Sequence, residues 1–218
     1  MIKALIFDFD GLIIDTETPW FDAYGSIYKE HGVSLPLEEW AKCIGSSEKH
    51  FDPCEHLEQY LNKPLDRTHI KKTSAYRHAL LMKEKSVNPG IEEYLRSAKL
   101  LELKIGLASS SDRSWVEKFL RELNLFDYFD YICTRNSVTN VKPDPELYLK
   151  VLKQFGITGS EAIAFEDSPN GAIAAKKAGI YCVIVPNEIT VKLNFDIYDL
   201  RLNSLMDINL ETIIEKIK

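Results

Sequence analysis

The chain predicts an α/β protein: a Rossmann-like parallel sheet core with helices on both faces, interrupted by an inserted four-helix block. Short apolar runs recur at Ala4–Phe9, Ile105–Ala108, Tyr131–Cys133, Ala162–Phe165 and Tyr181–Val185. Between the later runs lie segments of helical periodicity, and strands alternating with such helices imply right-handed βαβ units. From Thr16 to Lys85, by contrast, no convincing strand occurs. A strandless block between the first strand and the rest of a sheet reads as an insertion.

The first run ends in Asp8-Phe9-Asp10-Gly11. Strand side chains alternate faces, so Asp8 and Asp10 should point the same way where the strand runs out. Two like charges raise each other's pKa and repel unless a cation or a shared task compensates. In the insert, four helices are expected: one with Phe21, Tyr24, Ile27 and Tyr28; one with Leu37, Trp40, Ala41 and Ile44; one with Leu57, Tyr60 and Leu61; and one from Ile70 to Leu81. Asp52-Pro53 and Asp66 suit helix starts. The joints fall near Asp15–Thr18 and Ser86–Gly90, which divides the chain into a core of residues 1–15 and 86–218 and a helical cap of residues 16–85.

Beyond the insert, Trp115, Phe119 and Leu123 repeat at helical spacing after Ser111-Asp112. Leu147, Val151 and Phe155 do so after two prolines, with Gly156 as the stop. A last short amphipathic helix is expected over Leu210–Ile217.

Composition excludes several classes. The 218 residues are 45% hydrophobic and 28% charged with net charge -6, and no Lys/Arg block occurs, which disfavours nucleic acid and anionic membrane as partners. No apolar run approaches the roughly 20 residues of a membrane helix. The chain enters directly into a strand, so no signal peptide is expected. Cysteines 43, 54, 133 and 182 are scattered, as in reduced, half-buried thiols of a cytoplasmic protein. All five histidines (31, 50, 56, 69 and 78) fall in the insert at spacings that match no zinc pattern, and are expected on solvated helix surfaces.

In open α/β sheets ligands bind beyond the carboxyl ends of the strands. Four strand ends here carry polar groups. Besides Asp8 and Asp10 there is Ser109-Ser110-Ser111, hydroxyls between a strand and a helix start that can cradle an anion. Lys142, stiffened by Pro143 and Pro145, can neutralise a phosphate and hold down a carboxylate. Glu166-Asp167-Ser168-Pro169 ends another apolar run, with Ser168 able to cap and Pro169 suited to a first helical turn. Three or four carboxylates without Cys or His suit Mg²⁺, which often shares its shell with phosphate, better than zinc.

The order D-F-D-G, S-S-S, K-P-D-P and E-D-S-P-N-G resembles the four motifs of the haloacid dehalogenase-like (HAD) superfamily, and more closely its branch of β-phosphoglucomutase-like phosphatases. The resemblance covers essentially the whole chain, cap included. It implies Asp8 as nucleophile forming an aspartyl-phosphate, and Asp10 as general acid and then base, its backbone carbonyl also facing the metal. It further implies Asp167 in the Mg²⁺ shell, Glu166 as a direct or indirect partner, and Ser109, the Ser110 backbone N–H and Lys142 on the phosphoryl oxygens. Dehalogenases of the superfamily lack the second acid, so Asp10 points to phosphoryl chemistry.

A mutase of this branch must grip a second phosphate, usually with an arginine shortly after a cap glycine, in the loop that matches Ile44–Lys49. Glu48 stands there instead, with Lys49 beside it. Trp20 occupies the place where sugar-phosphate mutases tend to carry a histidine, and it also fits a cap interior. Both departures favour hydrolysis of a small phosphomonoester, a sugar phosphate or similar metabolite; with the carboxylate set the expectation is a Mg²⁺-dependent phosphatase, and no obligatory protein partner is evident. β-Phosphoglucomutase-type transfer and a catalytically silent binding module are the alternatives.

Overall fold

The computed structural model describes residues 1–41, 44 and 51–217. Six parallel strands form one sheet: β1 (Ala4–Phe7), β2 (Lys104–Ala108), β3 (Tyr131–Cys133), β4 (Ala162–Glu166), β5 (Tyr181–Ile184) and β6 (Leu200–Arg201). Their order is β3-β2-β1-β4-β5-β6. β1 pairs with β2 on one side and β4 on the other, so the strand order reverses at β1 and opens a crevice at its carboxyl end.

Period-two alternation splits the strand residues between two cores. Leu5, Phe7, Ile105, Leu107, Ile163, Phe165 and Val183 face one side, where α5 (Ile91–Leu100), α6 (Arg113–Glu122) and α9 (Leu210–Ile217) cover them. Ala4, Ile6, Ala108, Ala162, Ala164, Cys182 and Ile184 face the other, under α7 (Glu146–Phe155) and α8 (Pro169–Lys177). The second face is lined by small residues, and its helices come close. A Cβ on Gly106 of β2 would sit 2.6 Å from Val151 of α7.

The helical block comprises α1 (Glu17–Glu30), α2 (Leu37–Ala41), α3 (Pro53–Leu61) and α4 (Arg67–Met82). Asp52 caps α3 through Cys54 N–H and Glu55 N–H, and Asp66 caps α4 through His69 N–H. The block has its own apolar centre of Ile27, Tyr28, Trp40, Leu57 and Ile70, joined by Ile189 from the sheet side. The two joints pair with each other: Ile14 and Val87 form an antiparallel bridge, and Asn88 Nδ2 donates to the carbonyls of Gly11 and Leu12. Lys85 and Asp15 close the same junction with a 2.6 Å ion pair.

Four features differ from the sequence analysis. The amphipathic helix α5 and the two-residue edge strand β6 have no counterpart in it. His78, expected on a solvated surface, is only 4% exposed, stacked on Trp20 with ring centroids 3.9 Å apart. Cys54, Cys133 and Cys182 are fully buried rather than half-buried. Cys43, His50 and the Gly45–Lys49 loop lie outside the described residues. Among the described residues no helix is long and apolar enough to cross a membrane.

Candidate active site

The polar strand ends meet where the strand order reverses. Asp8 follows β1, Lys142 enters from the loop before α7, and Glu166 and Asp167 end β4. All four are nearly inaccessible: Asp8 is 6% exposed, Lys142 2%, Glu166 0% and Asp167 1%. Lys142 Nζ bonds Asp8 Oδ1 and lies 2.7 Å from Glu166 Oε1. Tyr148 of α7 donates its hydroxyl to Glu166 Oε1. Lys142 and Tyr148 thus tie Glu166 to the interior side of the cluster.

Charge compensation is incomplete. One ammonium faces the carboxylates of Asp8, Glu166 and Asp167, each of which offers an oxygen within 4.8 Å of the others. Burial, offset in part by Lys142, pushes Asp8 up to about 8, with Glu166 and Asp10 adding to the rise. Burial and then the Asp8 and Glu166 charges also hold Asp167 well above the usual carboxylate range. Burial opposes the charge of Lys142, but Asp8 and Glu166 outweigh it and raise that group above its ordinary value. The all-oxygen donor set and its excess of negative charge fit a hard divalent cation such as Mg²⁺.

Two glycines make the convergence sterically possible. Gly11 adopts φ +82°, and a Cβ there would lie 2.1 Å from Asp167 Oδ2. At Gly171, in the first turn of α8, a Cβ would lie 1.9 Å from Glu166 Oε2. Ser168 caps the same helix by accepting from Gly171 N–H at 3.2 Å.

Asp10 stands apart from this cluster. Its Oδ2 accepts from Ser111 Oγ at 2.6 Å and from Ser109 Oγ at 3.4 Å, and its Oδ1 accepts from Trp115 Nε1 at 3.0 Å. The structure therefore brings together the carboxylates of Asp8, Glu166 and Asp167, while the Asp10 carboxylate turns to the start of α6. Ser109 is buried, its hydroxyl also accepting from Ser111 N–H at 3.0 Å. Ser110 lines the cavity beside Asp8 and Lys142.

That cavity, of about 400 Å³, runs from Asp8 and Asp167 to the helical block at Thr16, Glu17, Trp20 and Ile44. Several residues around the acid cluster and the cavity were not singled out by sequence. Asn187, after β5, donates Nδ2 to Asp167 Oδ2 at 2.8 Å, while its own Oδ1 accepts from Ile189 and Thr190 N–H. Arg135 and Asp112 add one cation and one acid to the wall. Burial, then the Asp10 and Asp15 charges, push Glu17 up to about 8. In the sequence Trp115 and Asp112 stood out only as a periodic helix position and a helix start, and Trp20 as the place where mutases of the branch tend to carry a histidine.

Comparison with known proteins agrees with this geometry. The model of the haloacid dehalogenase-like hydrolase family matches residues 5–185, most of the chain and all four polar strand ends. The chain belongs to that family. A relative from Bacillus subtilis (strain 168), YhcW, provisionally named a phosphatase, is 49% identical over 215 residues, covering 99% of this chain and 97% of its own. The phosphorylated carbohydrates phosphatase of Thermotoga maritima is 36% identical over 183 residues, 82% of each chain. Among solved structures, β-phosphoglucomutase from Clostridium difficile matches this HAD-like fold with a TM-score of 0.75 at 27% identity, covering 100% of this chain and 97% of that one.

Proposed function

We propose that this chain, a phosphatase of the haloacid dehalogenase-like family, hydrolyses a small phosphorylated metabolite through a phosphoaspartate on Asp8, with Mg²⁺ as cofactor. The observation that carries the reading is a buried carboxylate at the end of β1, tied to a buried lysine and clustered with two further carboxylates beside a cavity. Asp8 attacks phosphorus, and Asp10 protonates the oxygen that leaves. In the second half Asp10 takes a proton from water as that water attacks the phosphoaspartate, releasing phosphate and restoring Asp8.

Phosphoryl transfer is catalysed mainly by positioning and charge compensation. Lys142 offsets the repulsion between Asp8 and the phosphoryl group, and the Ser109–Ser110 turn cradles its oxygens. Asp8, Asp167 and the Asp10 carbonyl would hold Mg²⁺, with Glu166 acting through Lys142, and the ion would supply the remaining positive charge. Residues 16–85 serve as the cap over this core, hinged at the paired joints. The scattered cysteines support a cytoplasmic setting for this activity.

Besides Lys142, the described wall residues carry a single cation, Arg135, against the acids Glu17 and Asp112. Such a wall favours a leaving group rich in hydroxyls over one bearing a second phosphate. The name of the Thermotoga relative supports the same substrate class. Likeness over the full chain to β-phosphoglucomutase keeps phosphoryl transfer between sugar positions as the second reading.

A panel of sugar and polyol phosphates, assayed with Mg²⁺, tests both. Steady phosphate release that is abolished in the folded Asp8→Asn variant is expected. Conversion of β-glucose 1-phosphate to the 6-phosphate without net release would establish the mutase, and wild-type turnover by Asp8→Asn would remove the nucleophile.

A further inference from the structure

Both carboxylate oxygens of Asp10 are held by donors from one core segment, and the donors differ in kind. Trp115 Nε1 bonds Oδ1 at 3.0 Å, whereas Oδ2 meets the hydroxyls of Ser111 at 2.6 Å and Ser109 at 3.4 Å. An indole N–H can only donate, while a hydroxyl can donate or accept. Oδ1 therefore accepts in either protonation state of Asp10. When Asp10 takes up a proton, that proton sits on Oδ2, where the Ser111 hydroxyl can rotate to accept it.

The indole is itself locked. It packs edge-on against Phe119, with centroids 4.6 Å apart, and stacks on His78 at 5.7 Å, which stacks in turn on Trp20 at 3.9 Å. This file of rings runs from α6 of the core through α4 to α1 of the helical block, and its two tryptophans line the cavity. A rotation of the Trp115 ring away from Asp10 would break the stack, so the N–H is a fixed donor.

We propose that Trp115 is a positioning residue for Asp10: its N–H reserves Oδ1 as an acceptor and so commits proton transfer to Oδ2. In the first half-reaction the Oδ2–H bond breaks as the O–H bond of the departing alcohol forms. In the second, an O–H bond of water breaks and Oδ2–H forms again. This rests on the reading of Asp10 as acid and base.

The test is a leaving-group comparison. Trp115→Phe keeps an aromatic ring against His78 and Phe119 but removes the donor, and β-(3-benzothienyl)alanine at position 115 replaces only N–H by sulfur at nearly constant shape. kcat/KM is measured with the best alkyl phosphate of the substrate panel and with p-nitrophenyl phosphate, whose leaving group departs without protonation. Both variants are expected to lose roughly 30-fold on the alkyl phosphate and under about threefold on the aryl one, with Asp10→Asn showing the same selectivity more strongly. A structural role alone would lower both substrates together. Equal losses in the Trp115 variants, with selectivity retained by Asp10→Asn, would overturn the role of Trp115 only. Absence of selectivity in Asp10→Asn would overturn the acid assignment and this proposal with it.

Discussion

At Gly11 the backbone leaves no room for a side chain. Its φ of +82° is a region that L side chains enter at a cost of about 1–2 kcal/mol. The added carbon would also lie 2.1 Å from Asp167 Oδ2 and 2.7 Å from Asn187 Nδ2, so Asp167 would have to leave. Gly11→Ala is expected to lose Mg²⁺ affinity, read by titration calorimetry, by at least roughly tenfold, the effect of breaking one ligand's support. Lys142 is a second sensitive residue. Lys142→Met would leave Asp8 and Glu166 buried without their counter-charge, and in metal-free buffer about 3–5 kcal/mol of stability should vanish in urea unfolding. Adding Glu166→Gln to that variant should restore part of the loss, because one of the two stranded charges is then gone.

Helix α4 meets the core through an imidazole between two indoles. Burial lowers His78 to about 4 from an ordinary 6.5, against smaller opposing effects of the Thr16 backbone and the Asp10 charge. The folded protein therefore binds fewer protons at His78 than the unfolded chain between about pH 6.5 and pH 4. Stability from this residue is present above pH 6.5 and is lost as pH falls through that window, by a total on the order of 3 kcal/mol. His78→Phe keeps a ring in the stack and removes the titration. The melting temperature of wild type minus that of His78→Phe should fall between pH 6.5 and 4.5. A difference that stays flat would show that the imidazole is not held neutral.

Over the whole molecule, binding at the acid cluster and folding are linked. The cluster draws residues from the loops after β1 and β4 and from the segment before α7, so a cation held there would bind the native state alone. Mg²⁺ at 100 times its Kd should stabilise by about 2.7 kcal/mol. For a chain of this size that raises Tm by roughly 5–10 °C. Excess chelator should abolish both the shift and phosphatase turnover, and an unchanged Tm in saturating Mg²⁺ would deny the cluster its cation.

The apolar runs at positions 4, 105, 131, 162 and 181 determined the parallel sheet from sequence alone, because short continuous apolar strands that alternate with helical segments join as right-handed βαβ units. Asp52-Pro53 and Asp66 likewise announced their helices through local capping chemistry. Asp8, Glu166 and Asp167 were legible as candidates because each lies at the end of a strand, and Lys142, in the loop between β3 and α7, because two prolines stiffen its approach to a helix. Tertiary structure alone decided the rest. Strand β6 is two residues long and too short for periodicity, and His78 is buried only because Trp20 and Trp115 arrive from helices remote in sequence. Asn187 and Tyr148 reach the acids from loops and helices whose own sequence advertises nothing but packing. The partners of the Asp10 carboxylate, Trp115 and Ser111, are likewise a property of the assembled sheet edge, since side-chain alternation fixes a face but not the partners waiting there.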